Sequence, residues 1–330
     1  MSRRLTRLLL IAATLVMLPF SSPAPLIYTP GEGWTYEAVG SEGSWRRTRA
    51  KDQLQVAWKA FYAKDYGLAA KAARHVVSTW PLSDYAPQAQ YLLGRCFEAR
   101  HMDEKAFAEY QTVLERYPKS ENLDEVLQRQ YEIAGRFLDG QWFKAWGYIP
   151  YPTILDQERI ATMFEKIVKS APYSDIAPKA QLKVGESREK EHDFPEAVKA
   201  YETAADRYSD QTQVASDAMY RAGMAYEKQA KTAEYDQGAA GQAIASLTDF
   251  MTLFPDDQRV PGAEKTIDTL KGEQARGNFE IAKFYEKQKK WNGALIYYNE
   301  VLLRDPNSPL APAARDKIDS IKKRLQPVAN

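Results

Sequence analysis

A proline that recurs at nearly regular spacing is the feature of this sequence that most limits how it can fold. Five prolines and one serine occupy the recurring position, each after a stretch with helical periodicity: Pro81, Pro118, Pro172, Ser209, Pro255 and Pro306. Successive markers are 37, 54, 37, 46 and 51 residues apart, so the base step is 37 and three steps carry insertions. Because proline ends helices and a fixed period is typical of repeat proteins, the sequence predicts about six repeats.

Small residues recur at a corresponding position in each of the repeats that the prolines mark. One stands at the same point of each predicted first helix: Ala57, Gly94, Gly135, Gly185, Gly223 and Ala282. In the predicted second helices, an alanine–tyrosine pair recurs in three repeats: Ala106/Tyr110, Ala197/Tyr201 and Ala294/Tyr298. Small residues let two helices approach closely, so each repeat is predicted to be a helical hairpin. Such a hairpin gains stability by packing against its neighbours in the array.

A second proline follows six residues after four of the markers: Pro87, Pro178, Pro261 and Pro312. Proline is tolerated in the first turn of a helix, where its missing N–H has no intrahelical acceptor. Ser83, Ser174 and Ser308 precede these prolines at a spacing that suits helix N-caps. We therefore expect a new first helix to begin shortly after each marker.

This hairpin pattern resembles the tetratricopeptide repeat, with a small residue near position eight, Ala-x-x-x-aromatic in the second helix and a terminal proline. The stretches WPLSDYAPQAQYLLG (80–94) and FEIAKFYEKQKKWNGALIYYNEVLLRDP (279–306) are similar to the BamD-like family of outer-membrane assembly lipoproteins. The resemblance covers residues 51–325 and implies an all-α fold, a right-handed superhelical solenoid of about six tetratricopeptide-like helical hairpins. Family members have five repeats and a lipid-bearing cysteine, whereas this chain has six and its only cysteine is Cys96.

The segment before the repeats is predicted to contain two parts. Residues 1–24 resemble a signal peptide, because Arg3, Arg4 and Arg7 precede the apolar stretch Leu8–Leu18, which is too short to span a bilayer. Its cleavage site is uncertain, and an uncleaved anchor is the alternative. Residues 25–50 are expected to be an extended Gly/Trp-rich arm without regular strand, which either docks on the first repeat or binds a partner.

Side chains of the first helices are expected to line a concave groove. Positions one after and three before each small residue point into it and supply six candidates for partner binding: Trp58, Tyr91, Arg95, Arg136, Tyr220 and Phe279. Aromatic and arginine side chains carry much of the energy of protein interfaces, so an extended or helical peptide is the expected guest. The alternative is that Tyr91 and Tyr220 only fill space between helices. One turn further along lie acidic residues, among them Glu98, Glu189 and Glu286.

Two of the insertions have a composition of their own. The insertion Asp139–Asp156 is rich in aromatic residues, including Trp142, Phe143 and Trp146. Such a segment either folds back over the repeats or presents an apolar patch to a partner. The insertion Lys228–Gly241 is polar and alanine-rich, and it is predicted to extend a helix and then turn at Gly238.

No motif in the sequence indicates catalysis, phosphate binding or metal binding. The histidines His75, His101 and His192 have no neighbours at metal-ligand spacing, and no phosphate-binding loop or catalytic motif occurs. Cys96 is expected to be a small core residue. With 45 basic and 44 acidic residues, the net charge of +1 gives no electrostatic reason to bind nucleic acid. We therefore predict a protein that is not an enzyme and needs no cofactor or metal.

The resemblance implies a scaffold in the periplasm, associated with the outer membrane. Its partners would be the periplasmic domains of the β-barrel insertase and unfolded outer-membrane proteins, held in the concave groove. Association with the membrane would be indirect or through an uncleaved signal. The alternative is a periplasmic adaptor for cell division or peptidoglycan machinery, although no sustained heptad pattern precedes Asp52.

Overall fold

The computed structural model describes residues 26–29, 33–36, 45–145, 149–152, 156–232 and 237–325. The predicted signal peptide at 1–24 and the candidate Trp146 lie outside these residues. The chain divides into two compact units, Met1–Val126 and Leu127–Asn330, which are described separately.

Among the described residues, the first unit contains β1 (Leu26–Thr29), β2 (Gly33–Tyr36), α1 (Ala50–Tyr62), α2 (Tyr66–Thr79), α3 (Ala86–Ala99) and α4 (Asp103–Arg116). Helix α5 (Leu123–Leu138) begins in the first unit and ends in the second. The rest of the second unit comprises β3 (Phe143–Ala145), β4 (Ile149–Tyr151), α6 (Gln157–Ser170), α7 (Ala177–Lys190), α8 (Phe194–Arg207), α9 (Thr212–Thr232), α10 (Gln237–Leu253), α11 (Val260–Lys287), α12 (Trp291–Arg304) and α13 (Ala311–Leu325).

Within the described ranges, the helices form six hairpins, from α1–α2 to α11–α12, and α13 packs on α12. In the third hairpin, Tyr131 of α5 meets Phe164 of α6 with ring centroids 5.7 Å apart. Consecutive helices contact each other from α1 to α4 and from α6 to α13, and the first helices of neighbouring hairpins also touch, α1 with α3 and α7 with α9. Each predicted marker lies two residues after the end of a second helix, as Pro118 does after α4. The predicted fold class, all-α with tetratricopeptide-like hairpins, is confirmed.

The prolines and serines after the markers have different roles. Pro87, Pro178 and Pro261 stand in the first turns of α3, α7 and α11, as predicted. The serines do not cap these helices, because the chain makes a further tight turn before each helix begins. The Ser83 hydroxyl accepts a hydrogen bond from the Tyr85 N–H at 3.3 Å, and the Ser83 carbonyl accepts one from the Ala86 N–H at 2.9 Å. The N-cap residue of α3 is Tyr85.

The connection inside a hairpin is a recurring backbone turn, seen in five of the six hairpins among the described residues. Two positions after the first helix ends, the backbone has positive φ, at Lys64 (62°), His101 (54°), Gly140 (101°), His192 (61°) and Lys289 (58°). The next N–H then bonds to the carbonyl five residues back, as Met102 does to Phe97 at 2.9 Å. This left-handed residue with a six-to-one hydrogen bond is the Schellman ending of a helix.

Two β-hairpins depart from the expectation of no regular strand. β1 pairs antiparallel with β2, with Leu26 opposite Tyr36. β3 pairs antiparallel with β4 inside the aromatic insertion, with Phe143 opposite Tyr151. Strands this short are stabilised by their partner strand, so an expectation built on the periodicity of one segment was wrong here. The predicted turn at Gly238 was also wrong, because Gly238 lies in the first turn of α10.

The last residues before α1 pack on the first hairpin. The ring of Trp45 lies 5.8 Å from the His75 ring, edge on, and the Lys71 ammonium lies 4.6 Å from the Trp45 ring centroid. The Trp45 carbonyl accepts a hydrogen bond from the buried Gln53 side chain at 3.2 Å. These contacts join the end of the N-terminal segment to both helices of the hairpin.

The core of a hairpin forms where a large residue of the second helix meets the small residue of the first. A Cβ atom built on Gly185 would lie 2.6 Å from Cδ1 of Tyr201, and one on Gly223 would lie 2.6 Å from Cδ2 of Leu247. The tyrosines at this position are fully buried: Tyr110, Tyr201 and Tyr298. A closer approach than about 3 Å is not tolerated, so packing requires the small residue at Gly94, Gly185 and Gly223. The prediction was wrong for Gly135, where a Cβ atom would meet nothing within 4 Å.

Candidate functional site

In the first unit, α1 places a group of aromatic rings beside α3. Trp58 stacks on Tyr62 with ring centroids 5.6 Å apart and meets Phe61 edge on at 5.9 Å. Phe61 in turn meets Tyr66 at 5.4 Å, and the Arg95 guanidinium of α3 lies 5.6 Å from the Phe61 ring centroid. We call these five residues the aromatic–arginine cluster.

The local sequence explains why the cluster forms. Phe61 and Tyr62 come three and four residues after Trp58, so each ring can contact the Trp58 ring on the surface of α1. Arg95 follows the small residue Gly94 and reaches the same surface because α1 and α3 are in contact. Tyr62 is 76% exposed, whereas Trp58 and Phe61 are half-buried. The cluster therefore has a packed base and an accessible edge.

Arg95 connects the cluster to its surroundings. Its Nη1 donates to the Tyr91 hydroxyl at 2.7 Å and lies 3.4 Å from Oε1 of Glu125. The side chain is 29% exposed, and its guanidinium lies over both the Phe61 and Tyr91 rings. Arginine carries five N–H donors in a planar fork, more than these contacts use. A positive charge thus stands beside aromatic rings at a partly accessible position.

Tyr91 differs from its prediction. Its side chain is only 4% exposed, and its ring packs against Tyr110 with centroids 6.1 Å apart. Tyr91 acts on the cluster through Arg95, because its hydroxyl accepts the Arg95 hydrogen bond and its ring centroid lies 5.7 Å from the Arg95 guanidinium. The alternative for Tyr91, that it fills space between helices, is the one that agrees with this burial.

The three candidates in the second unit lie in separate surroundings. Arg136 is half-buried near the end of α5. Tyr220 packs on Phe250 with centroids 5.4 Å apart, and Phe279 meets Tyr298 edge on at 5.4 Å. Tyr220 and Phe279 pack against different buried clusters. They do not form one compact group in the way that Trp58 and Arg95 do.

Arg259 is an organising residue that sequence inspection does not reveal. Its Nη1 donates to Asp217 at 2.6 Å, its Nη2 donates to Asp257 at 2.7 Å, and its guanidinium lies 4.9 Å from the Tyr220 ring centroid. The hydrogen bonds from Arg259 hold the pKa of the Asp257 carboxyl well below its usual range. Asp217 and Arg259 are 42 residues apart, so no local pattern indicates their contact.

The acidic residues expected further along the groove have structural partners. The Tyr110 hydroxyl donates to Glu98 at 2.8 Å, and the same bond recurs from Tyr201 to Glu189 and from Tyr298 to Glu286, both at 2.7 Å. Burial, together with the bond to the carboxylate, raises the pKa of the Tyr201 and Tyr298 hydroxyls. Each pair joins the first helix of a hairpin to the second. The constant spacing of twelve residues between the glutamate and the tyrosine is the sequence pattern that could have predicted these hydrogen bonds.

The aromatic insertion folds back on its own hairpin. Phe143 is fully buried and stacks on Phe137 of α5 with centroids 4.3 Å apart. The Arg159 guanidinium of α6 lies 4.5 Å from the Phe143 ring centroid. Trp142 is instead 54% exposed. The candidates of this segment therefore separate into a buried anchor, Phe143, and an exposed ring, Trp142.

The described residues contain no cluster of three or more His, Cys, Asp or Glu side chains that could hold a metal ion. Cys96 is fully buried, and burial raises the pKa of its thiol to about 12. In the same part of the chain, no helix is both long and apolar enough to cross a membrane.

Two family models match the sequence. The model of YfiO, described as an outer membrane lipoprotein, matches residues 156–328, which is just over half of the chain. A tetratricopeptide-repeat model, TPR_6, matches residues 88–120. Among curated proteins, none matches this chain.

Solved structures with similar helical arrangements come from repeat proteins. The C-terminal part of a TPR repeat-containing protein from Cytophaga hutchinsonii is 15% identical, with a TM-score of 0.37, and the match covers 81% of this chain and 87% of that one. A TPR repeats protein from Bacteroides fragilis is 13% identical, with a TM-score of 0.38, over 84% of this chain and 99% of that one.

Proposed function

Because this chain belongs to the YfiO family of outer membrane lipoproteins, which are BamD-like tetratricopeptide-repeat proteins, we propose that it is a non-enzymatic scaffold for β-barrel assembly. It binds unfolded outer-membrane proteins through the aromatic–arginine cluster of the first unit. It also binds the periplasmic domains of the β-barrel insertase. The observation that supports client binding is the accessible ring edge beside a partly exposed arginine.

The chemistry of the cluster suits the proposed clients. Strands of outer-membrane barrels alternate apolar and polar residues and carry aromatic girdles. An extended segment of this kind can place an aromatic or apolar side chain on Trp58 and Tyr62. Its backbone carbonyls or a carboxylate can then accept hydrogen bonds from Arg95. Contacts of these residue types are the ones that dominate binding energy at protein interfaces.

We assign the insertase contact to the second unit, since the YfiO match lies within it. The protein acts on the periplasmic side of the outer membrane. Cys96 is fully buried in α3, so it does not serve as a lipid attachment point in the folded chain. Attachment to the membrane therefore runs through protein partners or through the N-terminal segment.

Client binding is tested with a labelled β-barrel precursor diluted from urea into wild-type protein or single variants. Tyr62→Ala and Arg95→Glu are each expected to weaken binding about tenfold, the effect of losing a contact worth about 1.4 kcal/mol. Tyr173→Ala is the matched control, because Tyr173 is 96% exposed and lies in the second unit, in the turn after α6. Wild-type binding by both cluster variants, with intact circular dichroism, would refute the assignment.

The partner is tested separately by co-purification from envelope extracts under mild solubilisation. Recovery of the β-barrel insertase supports the proposal. Reproducible recovery of cell-division or peptidoglycan enzymes in its place would favour the adaptor role that the sequence left open.

A further inference from the structure

A cleft of about 810 Å³ opens between α8 and α10 in the second unit, with α9 as its floor. α8 and α10 are the second helices of neighbouring hairpins, so this cleft lies on a different set of helices from the aromatic–arginine cluster. Six of its residues define what we call the acidic groove: Glu202, Asp206, Ala222, Ala245, Asp249 and Leu253.

The groove combines one sign of charge with an apolar floor. Asp206 on α8 and Asp249 on α10 are exposed, and Glu202 accepts a hydrogen bond from the Tyr226 hydroxyl at 2.9 Å. Among the described residues that line it, none is lysine, arginine or histidine. Leu253 is 62% exposed at one end of the groove and adds an accessible apolar side chain to its lining. The charge complement of such a surface is a basic partner with an apolar side.

The groove lies on the side of α9 opposite the predicted groove of the first helices. Ala222 and Tyr226 line the acidic groove, whereas the predicted residue Tyr220 lies about 200° from Ala222 around the helix, at about 100° per residue. The acidic groove and Tyr220 therefore occupy different faces of α9.

The walls of the groove favour a helical guest. They are α-helices, whose backbone N–H and C=O groups are already paired within each helix, so an extended chain would find few backbone partners there. A helix satisfies its own backbone, and the exposed small residue Ala245 in the lining lets it approach closely. The lining of α9 runs from Ala215 to Tyr226, which at about 1.5 Å per residue is about three helical turns.

This chain's own basic helix end is already committed elsewhere. Helix α13 carries Lys322, Lys323 and Arg324 in its last turn, but its apolar residues Ile318 and Ile321 are buried in the cluster formed with α12. Helix α13 is therefore not the occupant, and we take the occupant to be a helix of another protein.

We propose that the acidic groove binds an amphipathic helix of a partner protein, with an apolar stripe against Met219, Ala245 and Leu253. Lysine or arginine residues flank this stripe and pair with Asp206 and Asp249. The site is distinct from the proposed client-binding cluster, which lies in the first unit.

The probe is a fluorescein-labelled, alanine-rich peptide of about 18 residues, long enough to hold helix in water, with a leucine stripe flanked by lysines. Two companion peptides replace every lysine by glutamate or place two prolines in the centre. Fluorescence anisotropy with the full-length protein is expected to show binding of the lysine peptide alone. Its affinity should fall steeply towards about 1 M salt, where the Debye length is about 3 Å.

Two variants locate the binding. Asp206→Lys combined with Asp249→Lys reverses the rim charge, and Ala245→Trp fills the groove from an exposed position. Each is expected to weaken binding of the lysine peptide at least tenfold. The matched control is Glu264→Lys combined with Asp268→Lys, which makes the same change of net charge at exposed positions of α11 and should retain binding.

Three results would each overturn the proposal: no binding of the lysine peptide, equal binding of the glutamate peptide, or wild-type affinity in the rim-charge variant. If Ala245→Trp does not fold, the rim-charge variant alone decides. Arg95→Glu separates this site from client binding, because it should leave the affinity for the lysine peptide unchanged even if client binding is lost or was never present.

Discussion

Gly94 and Tyr110 fit together so closely that the first helix of the hairpin has no room for a side chain at this point. A Cβ atom on Gly94 would lie 2.6 Å from Cδ1 of Tyr110. The tyrosine ring cannot move away easily, because it is fully buried and its hydroxyl is bonded to Glu98 at 2.8 Å. The same relation holds between Gly185 and Tyr201. In both hairpins, the glycine leaves the space that the buried tyrosine ring occupies.

Gly94→Ala is expected to lower the free energy of unfolding by about 1–3 kcal/mol, because the added methyl group overpacks the hairpin. Gly135→Ala is the matched control, since a Cβ atom there meets nothing within 4 Å. That substitution should raise stability by about 0.5–1 kcal/mol through helix propensity. Urea unfolding followed by circular dichroism measures both, and effects of the same sign would contradict the packing assignment.

Tyr201→Phe should lower the free energy of unfolding by about 1 kcal/mol, because it removes the hydroxyl that donates to Glu189. Glu189 keeps its ion pair with Lys228, which limits the loss. Tyr173→Phe, at a side chain that is 96% exposed, is expected to change nothing. A thermal melt of Tyr201→Phe that coincides with wild type would show that the bond adds no net stability.

His192→Gly is expected to stabilise the protein. His192 has φ 61°, a conformation that costs a non-glycine residue about 1 kcal/mol. The greater freedom of glycine in the unfolded chain offsets part of this gain. Lys199→Gly in the middle of α8 should instead destabilise by about 1 kcal/mol. Urea midpoints compare the two, and destabilisation by both would mean that the turn at His192 is unstrained.

Arg259→Met should lower the free energy of unfolding by about 2 kcal/mol, because it leaves the Asp257 carboxylate without its cation and removes one of the two cations of Asp217. Asp217 keeps its ion pair with Arg221. Arg304→Met is the control, since Arg304 forms an exposed ion pair with Glu300 that contributes little. Equal urea midpoints for the two variants would show that Arg259 stabilises the fold no more than the exposed Arg304 does.

The ion pair between Arg259 and Asp257 also predicts how the stability of the protein changes at low pH. The Asp257 pKa is lower in the folded chain than its ordinary value of 3.8, because Arg259 donates hydrogen bonds to the carboxylate. The unfolded chain therefore binds a proton first as the pH falls, and the stabilisation present above about pH 3.8 is lost below it. The difference in stability between wild type and Arg259→Met should shrink over that range. A difference that stays constant below pH 3.8 would argue against this ion pair as its source.

Arg95→Glu combined with Arg136→Glu is expected to weaken capture of client peptides without unfolding the chain. The Arg95–Glu125 pair is 29% and 45% exposed, so its loss should cost less than about 1 kcal/mol. Arg276→Glu combined with Arg304→Glu makes the same charge change at other positions and should keep peptide affinity. Anisotropy with labelled precursor peptides, paired with thermal melts, gives both readouts. Undiminished capture by the first pair would mean that these arginines take no part in binding.

Local chemistry explains how much of the fold could be predicted. The hairpins, their ends and their packing positions follow from proline, which lacks an N–H, and from glycine and alanine, which leave room for a neighbouring helix. Pro118 ends a repeat and Gly94 admits Tyr110 for reasons that act within one hairpin. The candidate Arg95 was also accessible to prediction, because its position next to Gly94 assigns it to a face of α3.

The tertiary structure alone decided which side chains meet across longer intervals. The sequence could place Tyr91 on the first-helix face but not show that neighbouring helices bury it, and it gave no sign that Arg259 joins Asp217 or that Phe143 stacks on Phe137. The acidic groove likewise exists only because α8 and α10 stand apart above α9. The periodicity of a helix determines which face a residue occupies, whereas its exposure and its partners depend on how closely separate helices pack.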